Sequence, residues 1–120
     1  MVHRYGAFMM LHSCGSVRAL IPRLIELGLD ILDVVQVGAA GMAIQELHDA
    51  FGTRLCFCRT MDVQTTLPLG STADVCEVEL RKALFAQGGL FLGPAHRIKA
   101  STPLENILAM CRCAGSLAAN

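Results

Sequence analysis

The feature of this sequence that most limits its fold is a fourfold alternation of short apolar runs with helix-patterned segments. Ala7 to Leu11 (AFMML) is wholly apolar, the pattern of a strand buried on both faces. Ile31 to Val37 (ILDVVQV), Leu55 to Cys58 (LCFC) and Leu90 to Leu92 (LFL) are three more such runs. The runs begin near positions 7, 31, 55 and 90. Their spacings of about 24, 24 and 35 residues are those of strand–helix units with short loops.

Each interval carries its own helix signals. In the first, Leu20, Ile21, Leu24 and Ile25 share one stripe. Pro22 falls in its first turn, where a missing N–H costs little, and Gly28 ends it. In the second, Ile44, Leu47 and Phe51 share a face and Gly52 stops it. The third runs through a Pro68-Leu69-Gly70 loop and opens at Ser71 with Asp74, a capping-box pattern. It predicts a helix burying Cys76, Leu80, Ala83 and Leu84 and ending at Gly88-Gly89. In the last, Thr102, Pro103 and Glu105 stand as N-cap, N1 and N3. Leu104, Ile107, Leu108 and Cys111 follow on one stripe.

The order βαβαβαβα predicts an α/β fold with a parallel sheet and helices packed on it, as one domain over residues 1–120. The pattern leaves two arrangements open. One is a four-stranded doubly wound domain. The other is half of a (β/α)8 barrel, since a complete barrel takes ~250 residues. A half-barrel alone would have two open sheet edges and an uncovered inner face. That predicts a homodimer, a complementing half-barrel or marginal stability.

Over half of the residues are apolar (53%) and only 17% are charged, which excludes a disordered chain. Ten acidic residues balance ten basic ones. No basic footprint for nucleic acid results, and no polybasic patch for a membrane surface. No apolar run approaches the ~20 residues of a membrane span, and the apolar stretch near the N-terminus is short for a signal peptide. The six cysteines sit inside periodic segments rather than in a loop-rich framework. They are therefore expected to be reduced thiols of a cytoplasmic protein.

Candidate chemistry gathers just past the strands. His12 and Cys14, in His12-Ser13-Cys14-Gly15, are two apart on extended backbone and point the same way. An imidazole and a thiolate so placed can converge on one Zn²⁺, although the same pair also reads as a buried thiol beside a surface histidine. His96, in Gly93-Pro94-Ala95-His96, is at the same end of the sheet and is the best third ligand by position. Three protein ligands would leave one position open for substrate. In Met61-Asp62-Val63-Gln64, Asp62 and Gln64 could hydrogen-bond a substrate, or equally be a turn acid and a surface amide. Asp62 and His96 are the candidate catalytic side chains. Cys58 is a reserve ligand and Cys56 suits core packing. Cys111 and Cys113 diverge by about 200° on a helix and do not form a metal pair. His48 reads as solvated and His3 as part of a frayed terminus. No P-loop and no dinucleotide fingerprint is present.

Several of these segments resemble the uroporphyrinogen decarboxylase superfamily. They are His12-Ser13-Cys14-Gly15 with Leu24-Ile25-Glu26-Leu27-Gly28-Leu29-Asp30-Ile31-Leu32, Phe51-Gly52 leading into Met61 to Ser71, Pro94-Ala95-His96-Arg97-Ile98, and Pro103 to Met110. The resemblance runs from about Phe8 to Met110 in family order and implies the C-terminal half of a (β/α)8 TIM barrel. The His-x-Cys pair favours the zinc-dependent, corrinoid-linked methyltransferase branch, in which a methyl group passes to a thiol. A corrinoid protein is then an implied partner, and zinc the implied cofactor, held by His12 and Cys14. The branch's later cysteine ligand corresponds here to His96, which is similar to the substrate-side histidine of the decarboxylases. The alternative within the family is therefore a cofactorless decarboxylation of a tetrapyrrole substrate. Relatives carry glycines where Arg59 and Thr60 stand, so bulky side chains could block the pocket here. An inactive fragment, or a non-catalytic domain binding a partner through its open sheet edge, is the reading from a different class.

Overall fold

The computed structural model describes residues 2–77 and 84–115. Leu80 and Ala83, expected on the buried side of the third helix, lie outside the described residues. Four strands alternate with helices: β1 (Met10–His12), α1 (Ile21–Glu26), β2 (Ile31–Asp33), α2 (Ile44–Phe51), β3 (Cys56–Cys58), α3 (Thr66–Leu69), α4 (Thr72–Cys76), β4 (Leu90–Phe91) and α5 (Leu104–Cys113). All pairings are parallel and the sheet order is β1-β2-β3-β4.

That order excludes the doubly wound arrangement, whose strand order must reverse at a switch point. Right-handed crossovers between consecutive strands place every helix on one face, and burial agrees. Leu11, Leu32, Phe57 and Leu90 are register partners across the sheet. Leu32 and Phe57 are fully buried in a cluster with Ile21 of α1 and Leu47 and Phe51 of α2. The alternate residues face the other way. There Met10 is 53% and Phe91 56% exposed, so no helix covers that side among the described residues. The first run is therefore not buried on both faces as its composition suggested; Phe8 and Met9 are exposed as well.

A second cluster lies beyond the strand ends. Met61, Val63, Leu67, Val75, Ala109, Met110 and Cys113 join α3, α4 and α5. The capping box at Ser71 forms as expected: the Asp74 N–H donates to Ser71 Oγ at 3.2 Å and the Ser71 N–H to Asp74 Oδ2 at 2.7 Å. Two expectations are corrected here. Cys76 and Cys113 are joined as a disulfide between α4 and α5, with Cα atoms 5.7 Å apart, so not all six thiols are free. Residues 37 apart in sequence met only because the two helices pack together. The N-terminus is also tied down. Val2–Tyr5 forms a 3-10 turn, and His3 Nε2 lies 2.7 Å from Asp30 Oδ2.

No helix among the described residues is long and apolar enough to cross a membrane.

Candidate functional site

The site grows from the C-terminal ends of the strands, where the parallel ladder continues into the loops. The Ser13 N–H donates to the Asp33 carbonyl at 2.7 Å, Arg59 to Phe91 at 2.8 Å, Met61 to Gly93 at 2.9 Å and Ala95 to Met61 at 2.7 Å. These bonds draw the loops after all four strands toward one region.

His12, the last residue of β1, is the register partner of Asp33 on the uncovered face. Its Nδ1 lies 2.9 Å from Asp33 Oδ2 and its Nε2 lies 3.6 Å from Cys14 Sγ. Asp33 is gripped in turn by Arg59, whose Nε donates to Oδ1 at 2.6 Å and whose Nη2 donates to Oδ2. The Arg59 hydrogen bonds outweigh the penalty of burial and, with the bond to His12, hold the Asp33 carboxyl down to about 2. Asp33 is thus a fixed anion behind the imidazole. Cys58 faces the same side, and burial together with the Asp33 charge pushes its thiol up.

Cys14 also lines a cavity of about 290 Å³ with Gln36, Asp62, Gln64 and His96, closed by Val34, Val63 and Ala95. Gln36 Oε1 accepts from the Gly15 N–H at 3.0 Å, pinning the loop that presents Cys14. Asp62 turns its carboxylate onto its own loop. It accepts from the N–H groups of Gln64 (3.0 Å), Thr65 (2.9 Å) and Thr66 (2.9 Å), and from the Thr65 hydroxyl. Burial opposes ionisation there, but these bonds prevail and hold the carboxyl well below the usual carboxylate range. Gln64 and His96 are exposed at the cavity.

Of the side chains singled out in the sequence, Cys14, Asp62, Gln64 and His96 share this cavity, and His12 adjoins it through Cys14. Among the described residues, no three His, Cys, Asp or Glu side chains stand where one metal ion could be held by all of them. His96 does not join His12 and Cys14 in that way. Arg59 lies on Asp33 and is not among the cavity-lining residues. His48 lies elsewhere, half-buried with its ring 4.7 Å from that of Phe85. Sequence reasoning missed Asp33 and Gln36, and it read Arg59 only as a side chain that could block the pocket. The signal for Asp33 was a lone charge inside an apolar strand at the offset matching His12. Arg59 and Gln36 act through contacts that no spacing rule gives.

A pair of tetrahedral zinc ligands, one nitrogen and one sulfur, lie about 3.6 Å apart. His12 Nε2 and Cys14 Sγ show that separation, and a carboxylate on the far ring nitrogen is the usual support of a metal-binding imidazole. The donors present therefore fit one side of a zinc site.

Among solved structures the chain is similar to a methyltransferase from Methanosarcina mazei, at 26% identity and a TM-score of 0.65. The match covers 92% of this chain and 31% of the other, so the chain spans about a third of that enzyme's length. No protein-family model and no curated protein sequence matches it.

Proposed function

We propose that this chain carries a zinc-dependent methyl-transfer site of the uroporphyrinogen decarboxylase superfamily type, on part of a (β/α)8 barrel. His12 and Cys14 hold the metal, and a thiol is the methyl acceptor. The observation that carries this reading is the His12–Cys14 separation of 3.6 Å with Asp33 fixed behind the ring. The methyltransferase among the solved structures supports the reaction class. When bound, zinc supplies Lewis acidity that keeps a coordinated thiol deprotonated near neutral pH.

The protein's own groups do the rest. Asp33 keeps the imidazole oriented. Gln36 holds the loop of Cys14 at the cavity. The Asp62 carboxylate shapes the loop that offers Gln64, and Gln64 and His96 present polar groups to a bound substrate. The separation of His96 from the His12–Cys14 pair supports a substrate contact over a third ligand. A corrinoid protein as methyl donor follows from the family resemblance. Among the described residues, the side chains lining the cavity include no Arg or Lys, which favours methyl transfer over decarboxylation of a tetrapyrrole polycarboxylate. A second half-barrel, from another copy or from further chain, would cover the exposed sheet face.

Metal analysis of the purified chain tests the reading. About one zinc per chain, lost in Cys14→Ala, is expected. Absence of zinc from both proteins after exposure to the metal would sink it.

A further inference from the structure

We infer that Arg59 is a positioning residue that sets the tautomer and the aim of His12 through Asp33. The inference rests on the zinc reading above, and its test separates the two.

His12 is half exposed, with 50% of its side chain accessible, so packing alone does not fix its ring. What holds Nδ1 is a triangle of polar atoms. Asp33 Oδ2 lies 2.9 Å from it and Arg59 Nη2 lies 3.1 Å from it, while Nη2 also donates to Oδ2. A guanidinium nitrogen can only donate. Were Nδ1 bare, its lone pair would face the anionic Oδ2 at 2.9 Å, lone pair against lone pair. With a hydrogen on Nδ1, both nitrogens donate to one carboxylate oxygen, and that shared anion outweighs the donor-against-donor approach of Nη2 to Nδ1 at 3.1 Å. That tautomer leaves the Nε2 lone pair free, aimed at Cys14 Sγ.

Arg59 makes this arrangement rigid. Its fork engages both oxygens of Asp33, fixing the plane of the carboxylate as a single charge on a flexible stem could not. Only 9% of the Asp33 side chain is accessible, so without the guanidinium it would be a nearly buried anion with no cation beside it. It would then turn away from the sheet face, and His12 would lose its anchor. The backbone at Arg59 has φ +54°, left-handed geometry that non-glycine residues adopt at a cost. An arginine stands there, and its guanidinium engages Asp33, His12 and Cys58.

The test uses the whole 120-residue chain in metal-free form, with ring-nitrogen NMR of His12 and zinc titration, on the native protein, Arg59→Met and Arg59→Lys. The native ring is expected in the Nδ1–H form. Arg59→Met is expected to show mixed tautomers and a zinc affinity 10–100-fold lower, and Arg59→Lys an intermediate loss. A native protein that binds no zinc, yet changes tautomer in Arg59→Met, would end the zinc reading and keep this one. An unchanged tautomer in a folded Arg59→Met overturns the inference. Should that variant not fold, an Arg59→Lys protein matching the native one in both tautomer and affinity overturns it too.

Discussion

At Asp62 one carboxylate accepts from three backbone N–H groups and a hydroxyl, and this sets how the protein responds to acid. The folded-state value is depressed relative to the ordinary 3.8. Such a group contributes stability that is fully present above its unfolded value and is lost as pH falls below it. Stability is therefore expected to decline once the pH drops under about 4, with Asp33 contributing in the same direction. Asp62→Ala is expected to cost about 1–2 kcal/mol at neutral pH, as loss of a capping side chain does, and to flatten the acid limb. Urea unfolding of both proteins between pH 2 and 7 measures this; an acid limb of unchanged slope in the variant would remove Asp62 from the account.

Among the elements, α5 shows most clearly how a correct helix can be assigned the wrong face. Its sequence offers two stripes of the same spacing. Leu104, Ile107, Leu108 and Cys111 form the more hydrophobic one. The buried set is Asn106, Ala109, Met110 and Cys113, and Leu104 is 65% exposed. Its start is also shifted, with Pro103 at the N-cap and no side-chain cap from Thr102. Asn106 decides the rotation. Its Nδ2 donates to the Leu67 carbonyl at 3.0 Å and the Gly70 carbonyl at 2.8 Å, the carbonyls that α3 and its following turn leave over. Asn106 is polar and stands outside the apolar stripe, and only the neighbouring helix supplies its partners. Asn106→Ala is expected to destabilise by about 1–3 kcal/mol through two stranded carbonyls, and Leu104→Ala by less than about 0.5 kcal/mol. Thermal unfolding of the pair in parallel checks it, and a larger loss for Leu104→Ala would reverse the face assignment.

For the molecule as a whole, the consequence of sheet order is an apolar side with no cover. Met10 and Phe91 stand more than half exposed beside His12, Asp33 and Cys58, and both β1 and β4 are sheet edges. Edges and apolar faces of this kind promote association. Light scattering of the isolated chain is expected to give the mass of two copies, and Phe91→Glu to shift it toward one. A native protein that stays monomeric at high concentration would leave the cover to a different polypeptide segment.

Strand number, strand order along the chain, the turns at Gly28 and Gly52 and the Ser71 cap were legible in the sequence, because they rest on local periodicity and on residues acting within three or four positions of one another. The His12–Cys14 pair was legible for the same reason, since two residues apart on extended backbone face one way. The uncovered face was foreseen for a half-barrel, but the choice of a sequential sheet over a doubly wound one, the Cys76–Cys113 link and the rotation of α5 depended on which elements pack together. So did Asp33 and Arg59, which stand 21 and 47 residues from His12 and meet it only across the sheet register. A spacing rule carries information over a few bonds, whereas hydrogen bonds and burial act through space, and the tertiary fold alone sets which distant residues become neighbours.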